Sequence, residues 1–143
     1  HDIQPPASKH GPFDFLLDGH LRVQCKCARV SRVESKACFK LARLLCMIKP
    51  ATYRQYRADE FDLLTPCLSS IEDGTLLWFW AIPMSALVAA GLVDQERSCG
   101  CFTLQHSPSC PWKQYFFDPA RLLSEATEQQ RITAIVAQCR AAS

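Results

Sequence analysis

Residues 13–29 of this 143-residue chain read FDFLLDGHLRVQCKCAR, and this stretch decides the fold. Two apolar runs flank Asp18-Gly19, a dipeptide that favours a two-residue type I′ turn because both of its residues tolerate positive φ. The sequence therefore predicts a β-hairpin with strands over 13–17 and 20–30.

Polar side chains with complementary chemistry occur on both strands of this predicted hairpin. Side chains alternate between the faces of a strand, so Gln24 and Lys26 project together and Cys25 projects to the other side. Pairing with the preceding strand can bring Asp14 beside them. Phosphodiester hydrolysis needs hard oxygen ligands for Mg²⁺ and a cation near the scissile phosphate. Asp14, Gln24 and Lys26 are therefore candidate catalytic residues, with an ordinary solvated strand face as the alternative.

The rest of the chain predicts one α+β domain with a mixed central sheet flanked by helices. Further strands are expected within 36–45, 63–69, 75–82, 102–106 and 114–117, and helices over 83–90 and from 118 onward. Pro66 lacks a backbone donor and is expected to confine 63–69 to an edge or a bulge.

Three segments complete the predicted organisation. The nearly all-apolar run 75–82 is expected to be a central strand covered on both faces. Residues 48–62 are expected to be a polar connection. Residues 1–12 form an extended arm, because three prolines block regular pairing there, and 13–143 form the single domain.

Composition limits the class of protein. Apolar residues make up 48% of the chain and charged residues 21%, as in globular domains. No apolar run approaches the roughly 20 residues that cross a membrane, so no membrane association is expected. Nine cysteines are an odd count in a chain long enough to bury a core, which favours reduced thiols and an intracellular protein.

Basic residues are concentrated in one part of the chain. Residues 22–57 contain ten of the sixteen Lys and Arg and only one acid, Glu34. An ordinary solvated face is one explanation, and a surface for a phosphate backbone is the other. The candidate DNA-binding residues are Arg22, Arg29, Arg32, Lys36, Lys40, Arg54, Tyr56 and Arg57.

The order of several motifs resembles that of a known enzyme superfamily. FDFLL (13–17) precedes VQCKC (23–27), and YRQYRADEFDLL (53–64), LWFWAIP (77–83), FTL (102–104) and YFF (115–117) follow in turn. This order resembles the PD-(D/E)XK nucleases, more narrowly their branch of group I intron-associated homing endonucleases and Holliday-junction-resolvase-like proteins. The resemblance covers about residues 11–124.

The resemblance implies a restriction-endonuclease-like core and a Mg²⁺- or Mn²⁺-dependent DNA endonuclease that acts as a homo-oligomer. Asp14, Gln24 and the backbone carbonyl of Cys25 would hold the metal, and Lys26 would act on water and phosphate. Gln24 stands where the superfamily usually has an acid, which removes one negative charge from the site. Asp62 is interpreted either as a residue that supports the metal site or as one that orders the surrounding loop.

Two alternative functions follow from other features. With Gln24 in place of an acid, the fold could serve as a catalytically weakened nucleic-acid-binding module. Cys99, Cys101, His106 and Cys110 resemble a compressed zinc knuckle. The one-residue gap between the first two cysteines strains chelation of a single ion, so a loop disulfide or free thiols are the alternative. Such a site would make the chain a zinc-dependent interaction domain.

Overall fold

The computed structural model describes residues 2–6, 12–30, 39–41, 45–49, 52–93, 102–104 and 110–142. The strands are β1 (Ile3–Gln4), β2 (Phe15–Leu17), β3 (Leu21–Val30), β4 (Phe39–Leu41), β5 (Leu45–Lys49), β6 (Thr52–Gln55), β7 (Leu63–Ser70), β8 (Leu76–Trp80), β9 (Ile82–Pro83), β10 (Phe102–Leu104) and β11 (Phe116–Phe117). The helices are α1 (Met84–Ala89), α2 (Pro119–Ser124) and α3 (Ala126–Ala142).

The predicted hairpin is confirmed, but its loop has three residues, Asp18 to His20, instead of the predicted two. β2 and β3 pair antiparallel, with Phe15 opposite Val23 and Leu17 opposite Leu21. Asp18 has φ 54° and Gly19 has φ 76°, the two positive values that a type I′ turn requires. A side chain at position 19 would be strained by this φ, although no atom lies within 4 Å of where its Cβ would stand.

Seven strands form the main sheet, in the order β1-β2-β3-β7-β8-β11 with β9 also paired to β7. β3 and β7 run parallel over eight residue pairs, from Val23–Leu63 to Val30–Ser70. The other pairings in this sheet are antiparallel, so the sheet is mixed. Helices flank it, which confirms the predicted α+β class.

The prediction that Pro66 places its strand at an edge is wrong, and the register shift in this strand lies at Leu68–Ser69, not at Pro66. β7 lies inside the sheet, between β3 and the β8–β9 pair. On the β8–β9 side, β7 pairs through Leu64 with Ile82 and through Cys67 with Phe79. Pro66 falls between these two pairings, where the ladder is interrupted. A proline fits there because that position requires no amide donor.

Two other strand predictions need correction. The run 75–82 is divided into β8 and β9, and β8 is next to the edge strand β11, with Leu76 42% exposed. The central position belongs to β3 and β7 instead. Residues 48–62 are not wholly an irregular connection, because β5 and β6 pair antiparallel within 45–55.

The N-terminal arm contributes to the sheet. Ile3 pairs with Leu17 and Gln4 with Leu16 at the edge of β2, just before the first proline. The Asp2 amide also donates to Asp18 Oδ1 at 2.8 Å, and the Asp18 amide to the Asp2 carbonyl at 2.7 Å.

The C-terminal helical region begins as predicted and then divides. Asp118 is the N-cap, because its Oδ1 accepts from the Ala120 amide at 2.9 Å, and Pro119 follows in the first turn. Glu125 has an extended backbone (φ −112°, ψ 118°), so the single predicted helix is two helices. The predicted apolar stripe packs on the sheet through Leu122, Ile132, Val136 and Cys139, whereas Ala126 is exposed.

Apolar side chains cover both faces of the sheet. On one face Ile135 and Cys139 of α3 pack in one cluster with the sheet residues Leu21, Val23, Leu63, Ala81 and Phe117. The other face is covered by the segment before β7 together with α1 and the chain near Trp112. In the part of the chain that the structure describes, no helix combines the length and apolar character needed to span a bilayer.

Candidate functional site

Asp14, Gln24 and Cys25 form one hydrogen-bonded group where β2 meets β3. The Gln24 side-chain nitrogen Nε2 donates to Asp14 Oδ2 at 2.6 Å and to the Cys25 carbonyl at 2.8 Å. The Cys25 amide donates to the same Asp14 oxygen at 2.6 Å. The Asp14 amide in turn donates to the Val23 carbonyl at 2.8 Å, which fixes the carboxylate beside β3.

Two oxygens of this group converge on a single point. Asp14 Oδ2 and the Cys25 carbonyl lie 2.6 and 2.8 Å from the Gln24 Nε2 atom. Both oxygens only accept hydrogen bonds, so the nitrogen end of the amide faces them. Gln24 is 5% exposed, whereas Asp14 is exposed and accessible to water.

The donor set fits Mg²⁺ or Mn²⁺. Carboxylate and carbonyl oxygens are the ligands these ions prefer, and Mg²⁺ keeps several waters as well. Rotation of the Gln24 amide would bring its oxygen beside the Asp14 and Cys25 oxygens, where a cation among the three oxygens would replace the N–H donors. Among the described residues, no three His, Cys, Asp or Glu side chains could hold a metal ion together. Such a site would therefore depend on amide and carbonyl oxygens in addition to Asp14.

Lys26 follows Gln24 on the same face of β3, and its ammonium contacts an aromatic ring. The Lys26 Nζ atom lies 5.3 Å from the centroid of the Tyr56 ring. Tyr56 is 2% exposed and packs edge-on against Phe61, with the ring centroids 5.0 Å apart at 84°. The sequence placed Tyr56 among the DNA contacts, but it offered no local signal that the ring would be buried beneath Lys26.

Arg22 is bound to the protein itself. Its backbone amide and Nε donate to Asp62 Oδ2 at 2.8 and 3.1 Å, and its Nη2 donates to Asp62 Oδ1 at 2.7 Å. Nη1 donates to the Asp59 carbonyl. The side-chain hydrogen bonding of Arg22 to the Asp62 carboxylate, which accepts, raises the pKa of Arg22 above its ordinary value. Asp62 therefore orders the 59–62 segment, and the DNA-binding role of Arg22 stays a prediction.

The other candidate DNA contacts are described to different extents. Arg29 and Arg57 are exposed. The Arg57 Nε atom lies 3.3 Å from Asp59 Oδ1, and the Arg57 amide donates to Glu60 Oε2 at 2.8 Å. Lys40 and Arg54 lie in β4 and β6, where only the backbone is described. Arg32 and Lys36 lie outside the described residues.

The thiols of Cys25, Cys27 and Cys67 lie on the face of β3 and β7 opposite to Gln24 and Lys26. Cys27 lies directly across from Cys67 in the parallel register. Burial raises the pKa of the Cys67 thiol to about 12, and the neighbouring Cys27 contributes to the same shift. Burial also raises the pKa of Cys25, whose Sγ lies 3.0 Å from Thr65 Oγ1. The half-buried Cys25 and Cys67 thiols therefore stay protonated at neutral pH, which makes them poor nucleophiles.

Most of the candidate zinc site cannot be placed. Cys99, Cys101 and His106 lie outside the described residues. Cys110 is 5% exposed and packs in the core cluster that contains Trp112. The zinc site stays a prediction.

The chain is similar in structure to a bacterial homing endonuclease. No protein-family model matches the chain, and no curated protein matches it. The bacterial homing endonuclease I-Ssp6803I superposes with a TM-score of 0.47 and 16% sequence identity, covering 92% of this chain and 82% of that one. At this TM-score the likeness carries no argument about function, which must come from the residues of the present chain.

Proposed function

We propose that the chain is a Mg²⁺-dependent DNA endonuclease with a restriction-endonuclease-like core, of the homing-endonuclease or resolvase-like kind. One observation carries the proposal: the Asp14 and Cys25 oxygens lie within 2.8 Å of one point, the position of the Gln24 amide nitrogen. Lys26 is the next residue on that face of β3. The order of motifs along the chain, which resembles the PD-(D/E)XK nucleases, supports the same function.

Each residue has a distinct part in the proposed reaction. Asp14, the Cys25 carbonyl and the Gln24 amide oxygen hold the ion. When bound, Mg²⁺ acidifies a coordinated water and stabilises charge that develops on the phosphate. Lys26 places an ammonium against the same phosphate, where a fixed positive charge favours the transition state over the ground state.

The proposal extends to the partner and the assembly. Exposed basic residues such as Arg29 and Arg57 would neutralise DNA phosphates. A symmetric homo-oligomer would present two sites to the two strands of a duplex. An intracellular location is part of the same proposal, because its substrate and its reduced thiols are found there.

A second candidate function is a nucleic-acid-binding module that has lost efficient catalysis. It is favoured by the Gln24 amide, which donates to two of the proposed metal-binding oxygens at 2.6 and 2.8 Å. The group is thereby satisfied without a cation. A neutral amide also attracts a divalent ion less strongly than a carboxylate does.

Incubation with DNA distinguishes the two functions. The protein is mixed with supercoiled plasmid and with a branched four-way junction, in Mg²⁺, in Mn²⁺ or in EDTA. We expect nicked or linear products in the presence of either ion and none in EDTA. Binding without cleavage in both ions would contradict the enzyme and support the module. Neither binding nor cleavage would contradict both.

Gln24→Glu is expected to tighten Mg²⁺ binding. Two unit charges about 4 Å apart attract by on the order of 1 kcal/mol in water, and the divalent ion roughly doubles this value. The Kd for Mg²⁺ should therefore fall at least about tenfold, since tenfold corresponds to about 1.4 kcal/mol. In EDTA the same variant should melt at a lower temperature, because two carboxylates would repel each other where Gln24 now donates a hydrogen bond to Asp14 at 2.6 Å. Calorimetric titration and thermal melts measure both effects.

Gln24→Leu is the matched control for this prediction. It removes the amide without adding charge, so it should also melt lower in EDTA but gain no affinity for Mg²⁺. If Gln24→Glu and Gln24→Leu bind Mg²⁺ equally, position 24 is not a ligand, and the proposed metal site is wrong.

A further inference from the structure

Lys26 and Tyr56 form a cation–π contact inside the proposed site. The ammonium nitrogen lies 5.3 Å from the ring centroid, within the roughly 6 Å over which a ring quadrupole attracts a cation. Tyr56 is 2% exposed, so the ring belongs to the core while its face is directed at Lys26. This contact joins the end of the 52–56 segment to the strand that carries the candidate catalytic residues.

The surroundings hold the Tyr56 ring in a fixed orientation. Phe61, which is fully buried, meets it edge-to-face at a centroid distance of 5.0 Å. The segment between these rings is closed by the hydrogen bond from the Arg57 amide to Glu60 Oε2 at 2.8 Å. Its far end is anchored by the ion pair between Asp62 and Arg22. The ring therefore cannot follow Lys26 if the lysine adopts another rotamer.

The neutral residue at position 24 explains why the contact between Lys26 and Tyr56 matters for the site. An acid two residues before the lysine, on the same strand face, would attract the ammonium toward the site. Here that position is the neutral amide of Gln24, which donates its hydrogen bonds to Asp14 and Cys25. A ring face attracts a cation without neutralising its charge.

We propose that Tyr56 is a positioning residue for Lys26, and that its ring face holds the ammonium toward the scissile phosphate in a site that lacks the second acid. The catalytic role of this contact rests on the proposed nuclease function. The contact itself can be tested without any cleavage. A flexible lysine side chain loses rotamer freedom when it is held in place, so a preformed contact reduces the entropy lost on reaching the transition state.

Nuclear magnetic resonance tests the contact in metal-free, DNA-free protein. The Cε methylene protons of Lys26 should show an upfield ring-current shift relative to the exposed Lys113. The shift should persist in Tyr56→Phe, which keeps the ring, and disappear in Tyr56→Leu. Wild-type protein alone suffices to overturn the inference, because absence of the upfield shift there means that the ring does not hold the lysine. A failure of Tyr56→Leu to fold would therefore not prevent the test.

Cleavage kinetics test the purpose of the contact. Tyr56→Leu should lower kcat about tenfold, which is within the range that cation–π contacts reach in desolvated sites. KM should stay within about twofold of the wild-type value, because DNA binding is shared by many phosphate contacts. Tyr56→Phe should keep most of the rate. Equal losses in the two variants, or a loss confined to KM, would overturn the positioning role. If wild-type protein cuts no DNA, the proposed function fails, and the ring-current measurement still decides the contact.

Discussion

Lys26→Ala is expected to lower the rate of DNA cleavage by about a hundred- to a thousandfold, because removing one group that stabilises transition-state charge has effects of this size. The lysine lies on the β3 face that carries Gln24, and its ammonium is held over the Tyr56 ring at 5.3 Å. The loss should appear in kcat, since a group that acts mainly in the transition state contributes little to ground-state affinity. Single-turnover cleavage of a labelled duplex measures it.

Asp14→Asn should reduce cleavage to a similar extent by a different route. The substitution keeps the size of the side chain and one oxygen but removes the negative charge that attracts the cation. Higher Mg²⁺ concentrations should therefore recover part of the activity of Asp14→Asn and none of the activity of Lys26→Ala. The two variants thus separate metal binding from phosphate stabilisation.

Two measurements control these variants. Lys113→Ala removes a comparable charge from an exposed lysine on the turn at 113–115, and should cleave like wild type. Fluorescence anisotropy in EDTA should show DNA binding by all three variants, so that lost cleavage is not lost binding. Full activity of Lys26→Ala would contradict the proposed site, whatever the behaviour of Asp14→Asn.

The hairpin could be predicted from the sequence because its determinants are local. Asp18-Gly19 dictates a turn, and strand alternation places Lys26 on the face of Gln24. The convergence of Asp14 on Gln24 could not be predicted in this way, because a two-residue loop would place Asp14 opposite Val23. The observed loop has three residues, with Leu17 opposite Leu21, and this shift of one residue places Asp14 opposite Gln24. The start of α2, like the turn, was predictable, since the Asp118 cap and Pro119 act within one helical turn.

Features that depend on distant residues could not be predicted. Pro66 fits inside the sheet because the neighbouring ladder is interrupted between β8 and β9, a property of two other strands. Arg22 was counted as a phosphate contact, but Asp62 binds it from forty residues away. The burial of Tyr56 depends on Phe61 and on the rest of the core. Counting charges showed that residues 22–57 are rich in basic residues, but it could not show which acidic group each of them contacts.

Asp62→Ala is expected to lower the free energy of unfolding by about 3 kcal/mol, the lower end of the range for removing one partner of a buried ion pair. The Asp62 side chain is 9% exposed and that of Arg22 is 33% exposed, so water compensates the remaining charge only in part. Three Arg22 donors, at 2.7 to 3.1 Å, lose their acceptor. Chemical denaturation measures the loss, and Asp62→Asn should show a smaller loss because it keeps one oxygen acceptor.

A double-mutant cycle with Arg22→Met separates the ion pair from the packing around it. Arg22→Met keeps much of the apolar stem of the arginine, so the coupling energy reports the bond between the two charged groups. Additive losses would contradict the anchoring role of the pair. The backbone holds the carboxylate beside Arg22, because the Asp62 amide donates to the Arg22 carbonyl at 2.9 Å, and the Met84 amide to the Asp62 carbonyl at 2.9 Å. The Asp62 backbone therefore links β3 to the start of α1, and the carboxylate adds the bonds to Arg22. Loss of the carboxylate should also loosen the segment that presents Tyr56 to Lys26.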